Sequence, residues 1–241
     1  MKFEDIKKLH QKKFRAELGH FLVEGEHLVQ ELQKAATRDA RLRPSEIYLT
    51  RDFAHWSSPL PVHVIQSRQM AQISETRSPQ GIAAVVPMFT AAAPRADERA
   101  IYLHEIQDPG NLGTILRTLA WFGNFRCLLS PDSVDVHNGK VVRASMGAIF
   151  HVPVEIDVPL EALPGRFSRL ACLDLKGEAV ASADFRQFEC YLLGNEARGL
   201  PREAAVTARA FTIPGTGAIE SLNGAATVNI CLYEINRPAG A

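Results

Sequence analysis

The sequence has no run of 18 apolar residues, so it carries no transmembrane helix. It lacks an excess of either charge: Lys+Arg and Asp+Glu are both 27. That excludes a histone-like arm and a polyanionic tail, but not nucleic acid as a partner. Cysteine is scarce. Cys127, Cys172, Cys190 and Cys231 stand 45, 18 and 41 residues apart. No pair has the CxxC spacing of a structural zinc site, and the pattern does not suit a secreted disulfide framework. The four read as reduced, mostly buried thiols of a cytoplasmic protein, with no metal implied. The N-terminal MKFEDIKKLHQKKF lacks the apolar centre of a signal peptide. Also missing are GxGxxG after the first strand of the second half, a P-loop, and a GxSxG elbow, since Ala144–Ala148 reads ASMGA. His104–Asp108, HEIQD, has no second His for a zinc protease helix. Any cofactor must therefore bind in another way.

What is present is an ordinary soluble composition, 46% apolar and 22% charged over 241 residues. That length suits one large domain or two small ones. Residues 1–87 read as a small α/β domain. It has helical spacing in Glu24–Leu32, short strands at Glu46–Thr50 and Pro61–Ile65, and a buried strand at Gly81–Val86. Residues 88–99, MFTAAAPRADER, read as a linker. Residues 100–241 alternate strands with helices. The strands are Ile101–Ile106, Phe125–Leu129, Leu170–Leu173, Tyr191–Leu193 and Ala210–Ile213, and the helices Leu112–Phe122 and Ser221–Ile235. That order predicts a mostly parallel sheet with helices on both faces. Residues 1–88 carry a net charge of +3 and residues 89–241 a net charge of −3. Lys2, Lys7, Lys8, Lys12, Lys13 and Arg15 crowd the start. They read either as a solvated helix face or as a phosphate-contacting end.

Three segments carry chemistry. In Gln107–Gly123, QDPGNLGTILRTLAWFG, a strand gives way to a helix. Pro109 and Gly110 are expected to turn, Asn111 to cap the helix, and Arg117 to lie over Gly113 toward the strand–helix junction. An anion or polar substrate there would meet free amides and a guanidinium fork. In Tyr191–Pro201, YLLGNEARGLP, a strand runs into Gly194, Asn195, Glu196 and Gly199, where a ligand can approach the backbone. In Ile213–Glu234 a Gly/Pro loop precedes Ser221, Leu222 and Asn223. The helix that follows is expected to bury Ala225, Ala226, Ile230 and Tyr233. Simple capping by Ser221 or Asn223 is the plainer alternative.

In this order the three segments resemble the signature motifs of the SpoU (TrmH-type) RNA ribose methyltransferases. Lys13–Leu32 and Pro79–Val86 resemble the start and end of that family's small RNA-recognition domain, and Ser133–Val154 the stretch between its first two motifs. The resemblance implies a C-terminal deep trefoil knot and a homodimer. It implies S-adenosylmethionine held by Gly194, Ile213 and Leu222, with Leu173, Asn195 and Gly199 beside them and Leu173–Gly177 as a further wall. The reaction implied is methyl transfer to a ribose 2′-hydroxyl, in ribosomal rather than transfer RNA, without metal.

Asn111, Arg117, Glu196, Ser221 and Asn223 match the family's functional polar positions, with Arg117 the main catalytic residue. A guanidinium holds its proton far above neutrality. Two roles therefore stay open for Arg117: a clamp on phosphate that polarises the hydroxyl, or a phosphate-perturbed base. Ser221 is expected to orient it, and Asn111 and Asn223 to hold the loops. Gly224 stands where the family usually has a larger small residue, and Asn229 where apolar residues are usual. Two alternatives are a non-catalytic RNA-binding protein of the same fold, acting in ribosome assembly, and a small-molecule transferase of unrelated fold.

Overall fold

The computed structural model describes residues 1–202 and 207–238. In chain order the elements are α1 (Phe3–Ile6), α2 (Lys12–Leu18), β1 (His20–Glu24), α3 (Glu26–Arg38), β2 (Glu46–Leu49), β3 (Val62–Val64), α4 (Ser67–Ile73) and β4 (Ile82–Pro87). There follow β5 (Arg99–Leu103), α5 (Pro109–Phe122), β6 (Phe125–Leu129), α6 (Gly139–Ser145), β7 (Val154–Glu155), α7 (Leu163–Arg166), β8 (Leu170–Ala179), β9 (Cys190–Leu193), β10 (Arg209–Thr212) and α8 (Gly224–Asn236). The chain divides into two units. One holds Met1–Phe89 and Asp135–His151, the other Thr90–Val134 and Val152–Ala241.

The first unit is built on a mixed sheet of order β1-β4-β2-β3, in which β4 runs antiparallel to both neighbours. Gly25, at φ +100°, turns the chain from β1 into α3. Helix α3 then buries Leu28, Val29, Leu32, Ala35 and Ala36 along one stripe, as its period requires. The basic start is partly neutralised inside this unit. Lys7 pairs with Glu4, Lys8 with Asp5, and buried Arg15 reaches Asp135 at 2.6 Å.

Residues 135–151 were expected in the second domain and belong here instead. Their contacts explain the difference. Asp135 accepts from Arg15 Nε and Nη2. The His137 ring lies 4.7 Å from that of Phe21, and Arg143 sits 3.5 Å from both Glu24 and Glu75. Gly147 is at φ +92°, where a side chain would strike Glu31.

The second unit holds a six-stranded sheet, all parallel, of order β10-β8-β9-β5-β6-β7. Parallel strands need both faces covered, and β5, β6 and β9 are accordingly apolar and buried almost throughout. The four cysteines are free and buried, and burial pushes the thiols of Cys127 and Cys231 up to about 12. The expected linker is fastened at two points. Buried Arg126 donates to the Ala92 carbonyl at 3.0 Å and pairs with Glu98 at 2.7 Å.

Strand β8 is longer than the sequence suggested. Its pairing with β10 jumps from Ala210↔Cys172 to Phe211↔Glu178. Leu173–Gly177 therefore leaves the ladder and rejoins it. At Gly177 a Cβ would lie 2.5 Å from the Ala210 carbonyl oxygen, so only glycine permits the return.

Candidate active site

The carboxyl ends of β8, β9 and β10 meet the start of α5 around a cavity of about 1190 Å³. Open parallel sheets collect ligands at this end because the loops there converge. The walls come from four stretches: Leu173–Leu175, Leu193–Leu200, Phe211–Gly224 and the pair Asp108 and Asn111. Gly194, Ile213, Leu222, Leu173, Asn195 and Gly199 all line it, as do Asn111, Glu196, Ser221 and Asn223.

A chain of hydrogen bonds ties three distant segments together at this cavity. Asn111 Nδ2 donates to Glu196 Oε1, 85 residues away. Asn223 Nδ2 donates to Asn111 Oδ1 at 3.0 Å, across 112 residues. Asn223 also caps α8, its Oδ1 accepting from the amides of Ala225 and Ala226 at 2.9 and 3.2 Å. Simple capping is thus real but incomplete as an account of Asn223, whose amide nitrogen is turned into the chain. Ser221 lies on the exposed loop at the rim.

Two local expectations are corrected. Asp108, not Asn111, caps α5: its Oδ1 accepts from the Asn111 amide at 2.7 Å, and Pro109 begins the helix. Proline suits that first position because no partner awaits its missing N–H. Asn111 thereby sits inside the first turn, its side chain free for Glu196. On α8 the buried stripe is Ala225, Val228, Leu232 and Ile235, whereas Ile230 and Tyr233 are exposed.

The glycine loop is fixed by its own backbone and by Glu105, a residue outside the three motif segments. Asn195 and Gly199 exchange backbone hydrogen bonds at 3.0 and 2.8 Å, closing the loop. Gly194 is packed so tightly that a Cβ would lie 2.3 Å from the Gly199 carbonyl carbon. Glu105, at φ +48° after the central strand, holds the loop from below. Its carbonyl accepts from Asn195 Nδ2 at 3.0 Å, its amide donates to Ser130 Oγ at 2.7 Å, and its carboxylate pairs with Arg198. A strained non-glycine residue at a strand end often marks such a support. The available signal was an acid near the end of an apolar strand; its backbone angle is invisible in sequence.

Arg117 is not brought to this cavity by its own chain. It lies six residues beyond Asn111, about 9 Å along the axis and about 120° around it. Its side chain is exposed and, among the described residues, has no hydrogen bond or ion pair. On the same face, four residues on, stands Trp121, 85% exposed. Helix α8 packs beside α5 and contributes Tyr233 and Ile230, 56% and 38% exposed. Gly113, one turn before it, is buried, whereas Arg117 is exposed.

Comparison with known proteins decides the family. The profile described as the SpoU rRNA Methylase family matches residues 98–233, and that of the MRM3-like substrate binding domain matches residues 2–84.

The chain belongs to the SpoU rRNA methylase family.

As a SpoU protein it is 31% identical to the 23S rRNA (guanosine(2553)-2′-O)-methyltransferase RlmP of Bacillus subtilis, over 97% of this chain and 95% of that one. It is 27% identical to the 23S rRNA (uridine(2479)-2′-O)-methyltransferase of Streptomyces viridochromogenes, over 92% and 84%. A TrmH-family structure from Porphyromonas gingivalis superposes with a TM-score of 0.83 at 28% identity, covering 98% of this chain and 96% of that one. An AdoMet-bound rRNA methyltransferase from Sinorhizobium meliloti also gives 0.83, at 25% identity, covering 98% and 94%.

The cavity of this SpoU chain fits S-adenosylmethionine, the cofactor bound in that last structure. Leu175, Ile219 and Leu222 stand exposed around its rim, apolar surface that a bound adenosyl group would cover. Gly194, Gly215 and Gly217 also line it, and with no side chain they let a ligand approach the backbone.

Proposed function

We propose that the protein methylates a ribose 2′-hydroxyl of ribosomal RNA, using S-adenosylmethionine, and works as a cytoplasmic homodimer. The observation that carries this is the chain Glu196–Asn111–Asn223, which gathers one polar residue from each of the three motif segments at the cavity. Residues 1–87 serve as the RNA-binding domain and 100–241, threaded as a trefoil knot, as the methyltransferase domain. Residues 135–151 pack with the RNA-binding part.

When bound, S-adenosylmethionine supplies a methyl group on a cationic sulfur. The rest of the work falls to side chains. Gly194, Ile213 and Leu222 hold the donor through backbone and apolar contact. Asn111 and Asn223 fix the Glu196 carboxylate, which accepts the proton of the ribose 2′-hydroxyl. Arg117 stays protonated, grips the phosphate of the target nucleotide and favours the oxyanion.

Arg117 performs this role in the cavity of the second copy. Trp121, Ile230 and Tyr233 form an exposed apolar face on α5 and α8, of the kind that marks a protein contact. A copy docked there by two-fold symmetry covers the aromatics and carries Arg117 off its own chain.

The test uses labelled S-adenosylmethionine and unmethylated ribosomal RNA. Label is expected at alkali-resistant 2′-O-methyl positions. Arg117→Ala and Leu222→Asp are each expected to be inactive, and mixed and reassociated they are expected to regain activity, because one hybrid site is intact. Absence of label with wild-type protein would overturn the reaction. Absence of rescue would overturn the shared site.

A further inference from the structure

We propose that a groove in the first unit is a receptor for one unpaired nucleobase of the RNA substrate, filled best by guanine. This rests on the reading that the first unit binds RNA. Because β4 is antiparallel to β1 and β2, the carboxyl ends of β1 and β2 share one edge with the start of β4. The loops there border an open groove of about 470 Å³ lined by Glu26, His27, Gln30, Phe53 and Gln80. That volume is within the range of small-ligand pockets, roughly 300–1,000 Å³.

The groove is ordered in advance. Phe53 stacks on His55 and meets the edge of Trp56, both at 6.1 Å between centroids. Gln33 Nε2 donates to the Ser57 carbonyl at 3.1 Å, tying this loop to α3. Gly81, at φ +90°, packs beneath Phe53, where a Cβ would come within 3.3 Å of the ring. A half-buried aromatic face held this way is a stacking platform for a base.

The polar groups fix which edge the base presents. Gln80 Oε1 accepts from the Glu26 amide at 3.0 Å, so Gln80 keeps its NH₂ to donate. Gln30 Nε2 donates to Glu26 Oε1 at 3.2 Å, which leaves Glu26 Oε2 as the open acceptor. A carboxylate acceptor beside an amide donor matches guanine, whose N1–H and N2–H₂ donate next to the O6 acceptor. The same carboxylate repels a phosphate from the groove itself. Phosphates are met outside it by Arg51 and Arg77, exposed on the two flanking loops and free of ion pairs among the described residues.

The experiment measures equilibrium binding of unmethylated ribosomal RNA to the full chain and to its Phe53→Leu, Phe53→Tyr and Glu26→Gln variants. Kethoxal, which modifies the exposed N1/N2 edge of guanine, is the footprinting probe. Melting temperature and S-adenosylmethionine affinity control for folding. Phe53→Leu and Glu26→Gln are expected to weaken RNA binding roughly tenfold, and Phe53→Tyr to retain it. A guanine protected by wild-type protein is expected to become reactive in the saturated Glu26→Gln complex. Wild-type affinity in both weakened variants, or no protected guanine, would overturn the groove and leave RNA binding standing. Failure of wild-type protein to bind RNA would overturn the underlying reading as well.

Discussion

The two sheets of this protein solve different problems. The six-stranded sheet is parallel throughout, so its strands all deliver their carboxyl ends, and the glycine loops after them, to one edge. The four-stranded sheet is mixed, with β4 antiparallel to both neighbours and β3 parallel to β2, and its groove is assembled from the loops at one edge. In the first case side chains 85 and 112 residues apart meet in one hydrogen-bonded chain. In the second, aromatic contacts two or three residues apart order the loop. Chemistry is placed where long-range closure is enforced by the sheet, and recognition where local sequence can change with little effect elsewhere.

If that contrast holds, changes at the large cavity act on turnover and changes in the first unit act on stability or RNA affinity. The largest effect is expected for Gly194→Ala. Its new methyl would meet the Gly199–Leu200 backbone at 2.3 to 2.5 Å. Calorimetry should register cofactor affinity down by at least a hundredfold, on the order of 3 kcal/mol.

Next is Asn111→Leu, which severs the polar chain. kcat is expected to fall about a hundredfold, a typical loss for a positioned hydrogen-bonding group, with the cofactor dissociation constant little changed. A fall in affinity instead would mean that Asn111 serves binding.

The first unit should respond to acid. Burial against Phe21 lowers the pKa of His137 to about 4, opposed by nearby Asp135 and reinforced by Arg15. Its folded value lies below its unfolded one, so the stabilisation is complete above about pH 6.5 and is lost as pH falls toward 4. The cost is about 3 kcal/mol by linkage, and a His137→Gln variant should melt with a shallower pH dependence over that window. The smallest change expected is Gly224→Ala. A Cβ there meets only ordinary contacts at 3.5 Å. Thermal melts should show a gain of about 0.5 kcal/mol with activity intact.

Much of the second unit was legible because apolar runs bounded by glycine or proline mark buried parallel strands, as Phe125–Leu129 and the β9 stretch do. The polar residues of the cavity could be named because their segments occur in a distinctive order. What sequence could not supply was geometry between distant residues. The bond from Arg15 to Asp135 spans 120 positions, and it moves residues 135–151 into the other unit. Ile230 and Tyr233 announce that they seek cover, yet nothing in their spacing tells whether that cover lies in the same chain. The HEIQD stretch lacks the second His of a metal motif, and the support that Glu105 within it gives to the glycine loop depends on a backbone angle that no pattern encodes.

The departure of Leu173–Gly177 from its ladder bears on how such an enzyme diversifies. Because the chain leaves its pairing with β10 after Cys172 and resumes it at Glu178, its length and side chains can drift while the paired residues on either side keep their partners. One wall of the cavity is therefore open to evolutionary revision while the Glu196–Asn111–Asn223 chain stays constant, so new targets need not compromise the reaction.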